Sequence, residues 1–376
     1  MSTPLDAQPR VAIAHDYLTQ RGGAERVVLT LMKAFPEARV HTTLYDADGT
    51  YPEFRDADIH TSPLNHIGPL RRDHRLALPL LAPAASRMRI DADVVVASSS
   101  GWAHGFDTSE GTRTVVYCHN PARWLYQTDE YLGGTAWRSP IGPPLLALRP
   151  FLKKWDRSRA DRVDVYLANS RVVQQRIRST YARDAELLPP PHGMDASAPR
   201  EPVPELADWE PGYALVVSRL LPYKNVDAVI EAVRGTDRRL VVIGRGPEEA
   251  RLRATLPDNV RLLGGLSDAQ LRAAYADAGV LVAASHEDFG LTPLEAAAFA
   301  VPVVALRGGG FLETVLEGET GVFFDRPDPD QIASALAISD QHDWDADRLL
   351  ARADEFGEAR FIDRIRTIAF EEGTVG

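Results

Sequence analysis

Two glutamates, Glu287 and Glu295, stand eight residues apart in SHEDFGLTPLEAAAFA, on either side of a Phe289-Gly290 turn. Thr292-Pro293 marks a helix start, because proline is tolerated in the first helical turn, where an N–H has no intrahelical partner. The N–H groups of such a turn attract anions, whether carboxylate or phosphate. Glu287 falls before the turn and Glu295 about one turn into the helix. The pair can therefore accept hydrogen bonds from sugar and ribose hydroxyls and leave the backbone between them to phosphate. The alternative is that both acids simply complement the helix dipole.

Cations with the complementary chemistry occur in SRLLPYKN, where Arg219 and Lys224 follow an apolar run. A planar guanidinium and a compact ammonium could neutralise a departing diphosphate without a metal, although a solvated surface pair has the same spacing. Gly22 and Gly23 precede an amphipathic helix in RGGAERVVLTLMKAF. They suit close approach of an oxyanion to backbone N–H groups, or only a tight connection. His119 follows RTVVYC and should emerge at a strand's carboxyl end, as a cleft residue or as a hydrogen-bonded structural histidine.

Other chemistries find little support. VVIGRGPEEARL has Gly244 and Gly246 after a strand, but Glu249 occupies the place of the third glycine of a dinucleotide fingerprint, and no Walker pattern occurs. Asp-x-Asp pairs at Asp46/Asp48, Asp56/Asp58, Asp91/Asp93 and Asp345/Asp347 read as turn residues, since Asp91 and Asp93 precede their strand instead of following it. No histidine pair has metal-ligand spacing, and no Gly-x-Ser-x-Gly elbow is present. The single cysteine, Cys118, rules out an intrachain disulfide and reads as a buried strand thiol.

These residues need elements to position them. Apolar, β-branched runs (RVAIAHDYL, ARVHTTLY, DVVVASSS, RTVVYCHN, VDVYLANS) alternate with helical stretches. A second series follows the proline-rich segment 189–211: YALVVSRL, RLVVIGRG, VRLLGG, VLVAASH, VPVVALRGG and GVFF. Such alternation predicts two doubly wound α/β domains with parallel sheets, whose ligands collect at the carboxyl ends of strands. The expected bounds are 1–195 for the first domain, joined by an amphipathic C-terminal helix at about 357–376, and 196–356 for the second.

The composition, 44% apolar and 25% charged, is that of a soluble globular chain, and no run approaches the length of a membrane span. The opening MSTPLDAQPR lacks the basic-then-apolar pattern of a signal peptide, so the expected location is the cytoplasm. The net charge of −11 comes wholly from beyond Asp195, the residues up to it being slightly basic, and this balance argues against nucleic acid as a partner.

Taken in order, GGAER, HNPARW, ANS, SRLLPYKN, VIGRGPE and above all SHEDFGLTPLEAAAFAVPVVA resemble the retaining glycosyltransferases of family 4, which have the two-domain GT-B fold. HDYL…GGAER and YCHNPARWLYQ…EYL are most similar to mannosyltransferases of O-antigen and exopolysaccharide assembly. The resemblance implies GT-B architecture: two Rossmann-like domains facing across a cleft, with the C-terminal helix packing back on the first. It implies that Arg219 and Lys224 hold a donor diphosphate, Glu287 the donor sugar and Glu295 the ribose. Backbone groups of Phe289, Gly290, Leu291 and Thr292 would serve sugar and phosphate; Ser218 and Gly244 complete the donor set. His119 would line the reaction centre, and Gly22 and Gly23 would close on the diphosphate. The acceptor set is Asp16, Tyr17, Asn120 and Arg123. Thr292 departs from the family, which often has proline there.

The implied reaction transfers a hexose, best assigned as mannose from GDP-mannose, with retention and without metal or other cofactor. The acceptor would be a hydroxyl of a glycan or lipid-linked saccharide. The alternatives are a nucleotide-sugar epimerase of the same fold and a catalytically silent sugar-nucleotide-binding partner subunit. The stretches RRDHRLALPLLAPAASRMR and LLALRPFLKKWDRSRADR mix basic and apolar residues. They suit either peripheral contact with the inner face of an anionic membrane or ordinary helices packed on the sheet.

Overall fold

The computed structural model describes residues 9–128 and 142–371. The EYL segment at 130–132, the opening residues up to 8 and the last five residues lie outside the described residues. The chain divides into two compact units, Met1–Pro190 with Ala359–Gly376, and Pro191–Glu358.

The strands are, in chain order, β1 (Val11–His15), β2 (Arg39–Thr42), β3 (Ile59–Thr61), β4 (Arg89–Ile90), β5 (Val94–Ser99), β6 (Asp107–Thr108), β7 (Arg113–Cys118), β8 (Val165–Ala168) and β9 (Glu186–Leu187) in the first unit. The second unit has β10 (Tyr213–Val217), β11 (Leu240–Ile243), β12 (Val260–Leu263), β13 (Ala278–Ala283), β14 (Val303–Leu306) and β15 (Gly321–Phe324). The first sheet runs β3-β2-β1-β5-β7-β8-β9 and the second β12-β11-β10-β13-β14-β15, while β4 and β6 form a separate pair. Every pairing in both sheets is parallel.

Parallel strands need helical crossovers, so both faces of each sheet must be apolar. In the first unit Ile13, Val96, Val115 and Tyr117 point to one face, where they pack with Val28 and Leu31 of the helix Gly23–Ala34. Phe361, Ile365 and Ile368 of the C-terminal helix Glu358–Phe370 join the same layer, which makes that helix part of the first unit's core. Arg366 Nε donates to the Ala34 carbonyl at 2.7 Å, tying the two helices together. The alternate strand residues Ala14, Val95, Val116 and Cys118 face Leu81, Leu152 and Val173 on the other side.

The second unit repeats the plan. Val216, Val242, Val282 and Val304 pack against Val229, Ile230, Ile332 and Leu336, and Leu215, Val241, Leu281 and Val303 against Tyr275, Ala296 and Phe311. Each sheet has one place where neighbouring crossovers leave in opposite directions, between β1 and β5 and between β10 and β13. Loops diverge there, and side chains after those strands are free to surround a ligand.

Candidate active site

In the second unit the chain leaves β10 through Ser218 and Arg219 and turns through a short 3-10 segment, Pro222–Lys224. Asn225 ends the turn in the left-handed conformation at φ 53° and donates from Nδ2 to the Ala284 carbonyl at 2.8 Å. That bond links the exit of β10 to the exit of β13 and sets Lys224 beside the next loop. Lys224 Nζ donates to Glu287 Oε1, and Ser285 Oγ donates to the same oxygen at 2.6 Å. The lysine side chain is 11% exposed and the glutamate 27%, so the pair is sheltered yet still reached by solvent. Glu287 Oε2 accepts no hydrogen bond from a described residue. Arg219 is exposed and makes no ion pair among the described residues.

Around this pair the loops are held by close backbone approach. A Cβ on Gly309 would lie 2.3 Å from the Glu287 carbonyl, and one on Gly310 would lie 2.1 Å from that of Phe289. The Gly310 N–H donates to the Glu287 carbonyl at 2.8 Å, so the RGGG segment clamps the backbone that carries Glu287. Gly290 sits at φ +83° and a side chain there would strike the Phe311 ring. Phe289 is buried and packs on Phe356 with ring centroids 5.7 Å apart. The helix Thr292–Ala297 begins at Leu291 without a side-chain cap, with Pro293 in its first turn. Glu295, half-buried one turn in, accepts from the Tyr275 hydroxyl at 2.8 Å through Oε2.

Gly244 has a packing explanation: a Cβ there would fall 1.9 Å from the Ser218 carbonyl. The Ser218 N–H in turn donates to the Ile243 carbonyl at 3.0 Å, and its hydroxyl donates to the Arg219 carbonyl at 2.8 Å. Both residues shape the loop that carries Arg219.

The first unit places its own polar residues at the carboxyl ends of β1, β5 and β7. Asp16 is buried, and its carboxylate accepts from the backbone of Ser100, Trp102 (2.8 Å) and Ala103 (2.7 Å), so it anchors that loop. Tyr17 stacks on His74 with ring centroids 3.8 Å apart. His119 shares a 2.8 Å hydrogen bond between Nε2 and Ser98 Oγ, and its carbonyl accepts from Asn169. Burial, with the nearby charges of His15 and Arg123, lowers its pKa to about 3, so the ring is neutral near pH 7. Asn120 is buried beside it, and Arg123 is exposed at the start of the short helix Arg123–Tyr126.

Gly22 caps the helix Gly23–Ala34, and nothing within 4 Å would meet a Cβ on Gly23, so space lies open there. Glu25, buried in the first turn, takes a 3.1 Å hydrogen bond from Gln20 and lies 3.9 Å from His15 Nε2. Burial opposes protonation of His15, yet Glu25, Asp16 and the Ser98 carbonyl outweigh it and the pKa is raised. Residue types alone did not single out Ser285, Tyr275, Asn225, His15 or Glu25 as parts of these networks. Ser285 lies two residues before Glu287 and could have been noticed; Tyr275 is distant in sequence and has no local signature.

The second unit thus offers a sheltered ammonium, an exposed guanidinium and two carboxylates at the carboxyl edge of one sheet. That constellation can neutralise a diphosphate and accept hydrogen bonds from sugar hydroxyls. Comparison with known proteins agrees with the fold and these motifs. Residues 21–196 match the model of Glycosyltransferase Family 4, and residues 199–342 that of Glycosyl transferases group 1. The chain is 30% identical over 216 residues to the GDP-mannose-dependent alpha-(1-6)-phosphatidylinositol monomannoside mannosyltransferase of Mycobacterium tuberculosis, a match covering 51% of this chain and 56% of that protein. This match thus spans only about half of that relative. A GDP-mannose-dependent alpha-mannosyltransferase from the same organism is 30% identical over 349 residues, covering 86% of this chain and 87% of the relative. The crystal structure of Anabaena HepE in complex with UDP superposes with a TM-score of 0.66 at 16% identity, covering 96% of this chain and 99% of HepE. Sucrose-phosphate synthase from Thermosynechococcus elongatus gives 0.68 at 17%, with 96% and 98% covered. Two parallel-sheet units with these carboxyl-edge residues, and a family relative matched over most of its length, establish that the chain is a GT-B protein belonging to glycosyltransferase family 4.

Proposed function

We propose that this chain transfers mannose from GDP-mannose, with retention of anomeric configuration, to a hydroxyl of a glycan or lipid-linked saccharide. The observation that carries the reading is the Lys224–Glu287 pair, with Ser285 behind it, at the switch point of the second sheet. The mannosyltransferase relatives support the choice of donor, since both are named as GDP-mannose-dependent.

On this reading Lys224 and Arg219 take up the negative charge that builds on the departing diphosphate, and Glu287 accepts from hydroxyls of the donor sugar. Glu295 accepts from the ribose, and backbone groups of residues 289–292 serve sugar and phosphate. His119, Gly22 and Gly23 keep the roles that the family resemblance implies. The bond from the anomeric carbon to phosphate oxygen breaks as the acceptor oxygen bonds to the same face. The acceptor proton passes to the leaving phosphate oxygen, so no covalent enzyme intermediate and no metal is needed. Stabilising the leaving group in place is the main source of rate.

The test is to incubate the protein with GDP-mannose and a lipid-linked or glycan acceptor, and to follow GDP release and product anomer. Acceptor-dependent GDP with an α-mannosyl product is expected; epimerisation of the GDP-sugar without GDP release, or binding without turnover, would overturn the reading.

A peripheral membrane contact belongs to the same proposal. Among the described residues no helix is long and apolar enough to cross a bilayer. The first unit nevertheless exposes Leu76, Leu80, Leu148 and Phe151, the last at 75%, and the exposed Arg71, Arg72, Arg75 and Lys154 are close to them in sequence. Exposed apolar side chains with basic neighbours suit an anionic lipid surface. The protein should co-sediment with phosphatidylglycerol liposomes at low salt and not with phosphatidylcholine ones; equal recovery from both would refute the contact.

A further inference from the structure

Tyr275 lies on the helix Asp268–Ala276, outside every motif, and is fully buried. Its ring stacks in parallel on Phe299, with centroids 5.8 Å apart and an interplanar angle of 3°. A phenylalanine would fill the same space without desolvating a hydroxyl, which is costly when buried unless it is hydrogen-bonded. The hydroxyl's partner is Glu295 Oε2 at 2.8 Å, an acid twenty residues further along the chain. Burial, reinforced by Glu295, pushes the phenol's pKa well up, so it stays protonated and acts as donor.

The consequence for Glu295 is geometric. An unsupported glutamate samples several rotamers, and ordering it on binding costs free energy. Donation from a rigid, stacked phenol ties down one carboxylate oxygen and so restricts the orientations open to the group. The other oxygen, Oε1, accepts no hydrogen bond from a described residue, and Oε2 keeps a lone pair. A carboxylate held in this way presents two acceptor directions to a vicinal diol.

We infer that Tyr275 is a positioning residue that orients Glu295 for a ribose 2′,3′-diol and so sets discrimination between ribonucleotide and 2′-deoxyribonucleotide donors. The inference rests on the proposed contact of Glu295 with the ribose. A nucleotide lacking the 2′-hydroxyl would leave one of the aligned acceptor directions unpaired, whereas a freely rotating carboxylate can turn toward the remaining hydroxyl or toward water.

The experiment measures Kd for GDP and 2′-deoxy-GDP by calorimetry in the wild type, Tyr275→Phe and Glu295→Ala, with Tm recorded for each. In the wild type GDP should bind more tightly than its deoxy counterpart. In Tyr275→Phe the ratio of the two Kd values should fall roughly three- to tenfold, the scale of one hydrogen bond, with Tm within a few degrees of wild type. Loss of discrimination in Glu295→Ala together with an unchanged ratio in Tyr275→Phe would overturn the role of Tyr275 and leave the ribose contact standing. An unchanged ratio in both variants would overturn the ribose contact itself and the inference with it. A large drop in Tm of Tyr275→Phe with the ratio intact would show that the hydroxyl serves only the fold, which also defeats the inference.

Discussion

Lys224 and Glu287 hold each other, with Ser285 as a third partner, and both are only partly exposed. Each therefore has a different cost of removal. Lys224→Ala leaves a partly exposed carboxylate with one remaining donor, and Glu287→Ala leaves an ammonium that water can reach, so neither should unfold the unit. In the proposed reaction the loss in turnover is larger, because a preorganised charge at a leaving group is worth roughly 10²–10³ in rate. Both variants should melt near wild type and lose at least about a hundredfold in kcat/KM with GDP-mannose; full activity in both would remove them from the chemistry. The sequence made these two residues legible as a cation and an acid at strand ends. Their direct bond and Ser285's share in it were not legible, since the partners lie 63 residues apart. Asp16 illustrates the same limit. The family resemblance put it in the acceptor set, and the structure adds that its carboxylate accepts from three backbone N–H groups more than eighty residues away, which its type alone did not reveal.

At the scale of elements, glycines divide into those that the fold needs and those that leave space. A Cβ on Gly310 would meet Phe289 backbone atoms at 2.1–2.3 Å, and backbone cannot step aside as a side-chain tip can. Gly310→Ala should therefore destabilise the second unit by about 1–3 kcal/mol, the usual cost of overpacking, and should weaken donor binding by displacing the strand exit that carries Glu287. Gly23 is the opposite case, with nothing within 4 Å of a built Cβ at the first position of a helix. Gly23→Ala should hold or slightly raise Tm, since alanine is the better helix former by roughly 0.5–1 kcal/mol. Any fall in its turnover then reports a ligand approaching the turn and not a damaged fold. Thermal melts and steady-state rates on the two variants check both statements. The existence of these turns was legible from Gly-Gly and Gly-Gly-Gly. Which of them was crowded was not, because crowding comes from a loop that is remote in sequence.

At the scale of the molecule, the first unit carries buried and half-buried histidines that titrate in opposite senses. His41 is 8% exposed, and burial, with His60 and Arg39 nearby, lowers its pKa to about 4; His74 is likewise lowered to about 4 by burial and Arg75. Between about pH 4 and the unfolded histidine value of about 6.5 the unfolded chain binds the extra proton and the folded chain does not. Each such histidine thus makes stability rise with pH across that window, and acid removes it. The protein's Tm should fall as pH drops from 6.5 to 4, and His41→Asn should flatten the fall; a mutant curve parallel to wild type would exclude His41 as a contributor. His15 and His104 act the other way. The Asp156 carboxylate, 3.0 Å from His104 Nε2, helps outweigh burial and raises its pKa. Their stabilising contribution is complete below about pH 6.5 and is lost as pH rises through their folded values.

By itself the sequence determined the parallel α/β plan of both units, because β-branched runs alternating with amphipathic helices can bury two apolar faces in few other ways. It also determined which acids, cations and glycines follow the strands, since those positions are read directly along the chain. Tertiary structure alone decided which of them meet. Strand order puts β13 beside β10 although β11 and β12 intervene in sequence, and only that adjacency brings Glu287 to Lys224. Packing of the helix Asp268–Ala276 in the same core layer as the helix Thr292–Ala297 brings Tyr275 to Glu295. Periodicity reports which face of an element is buried, but partners are chosen by the topology that stacks the elements, and that choice is not local.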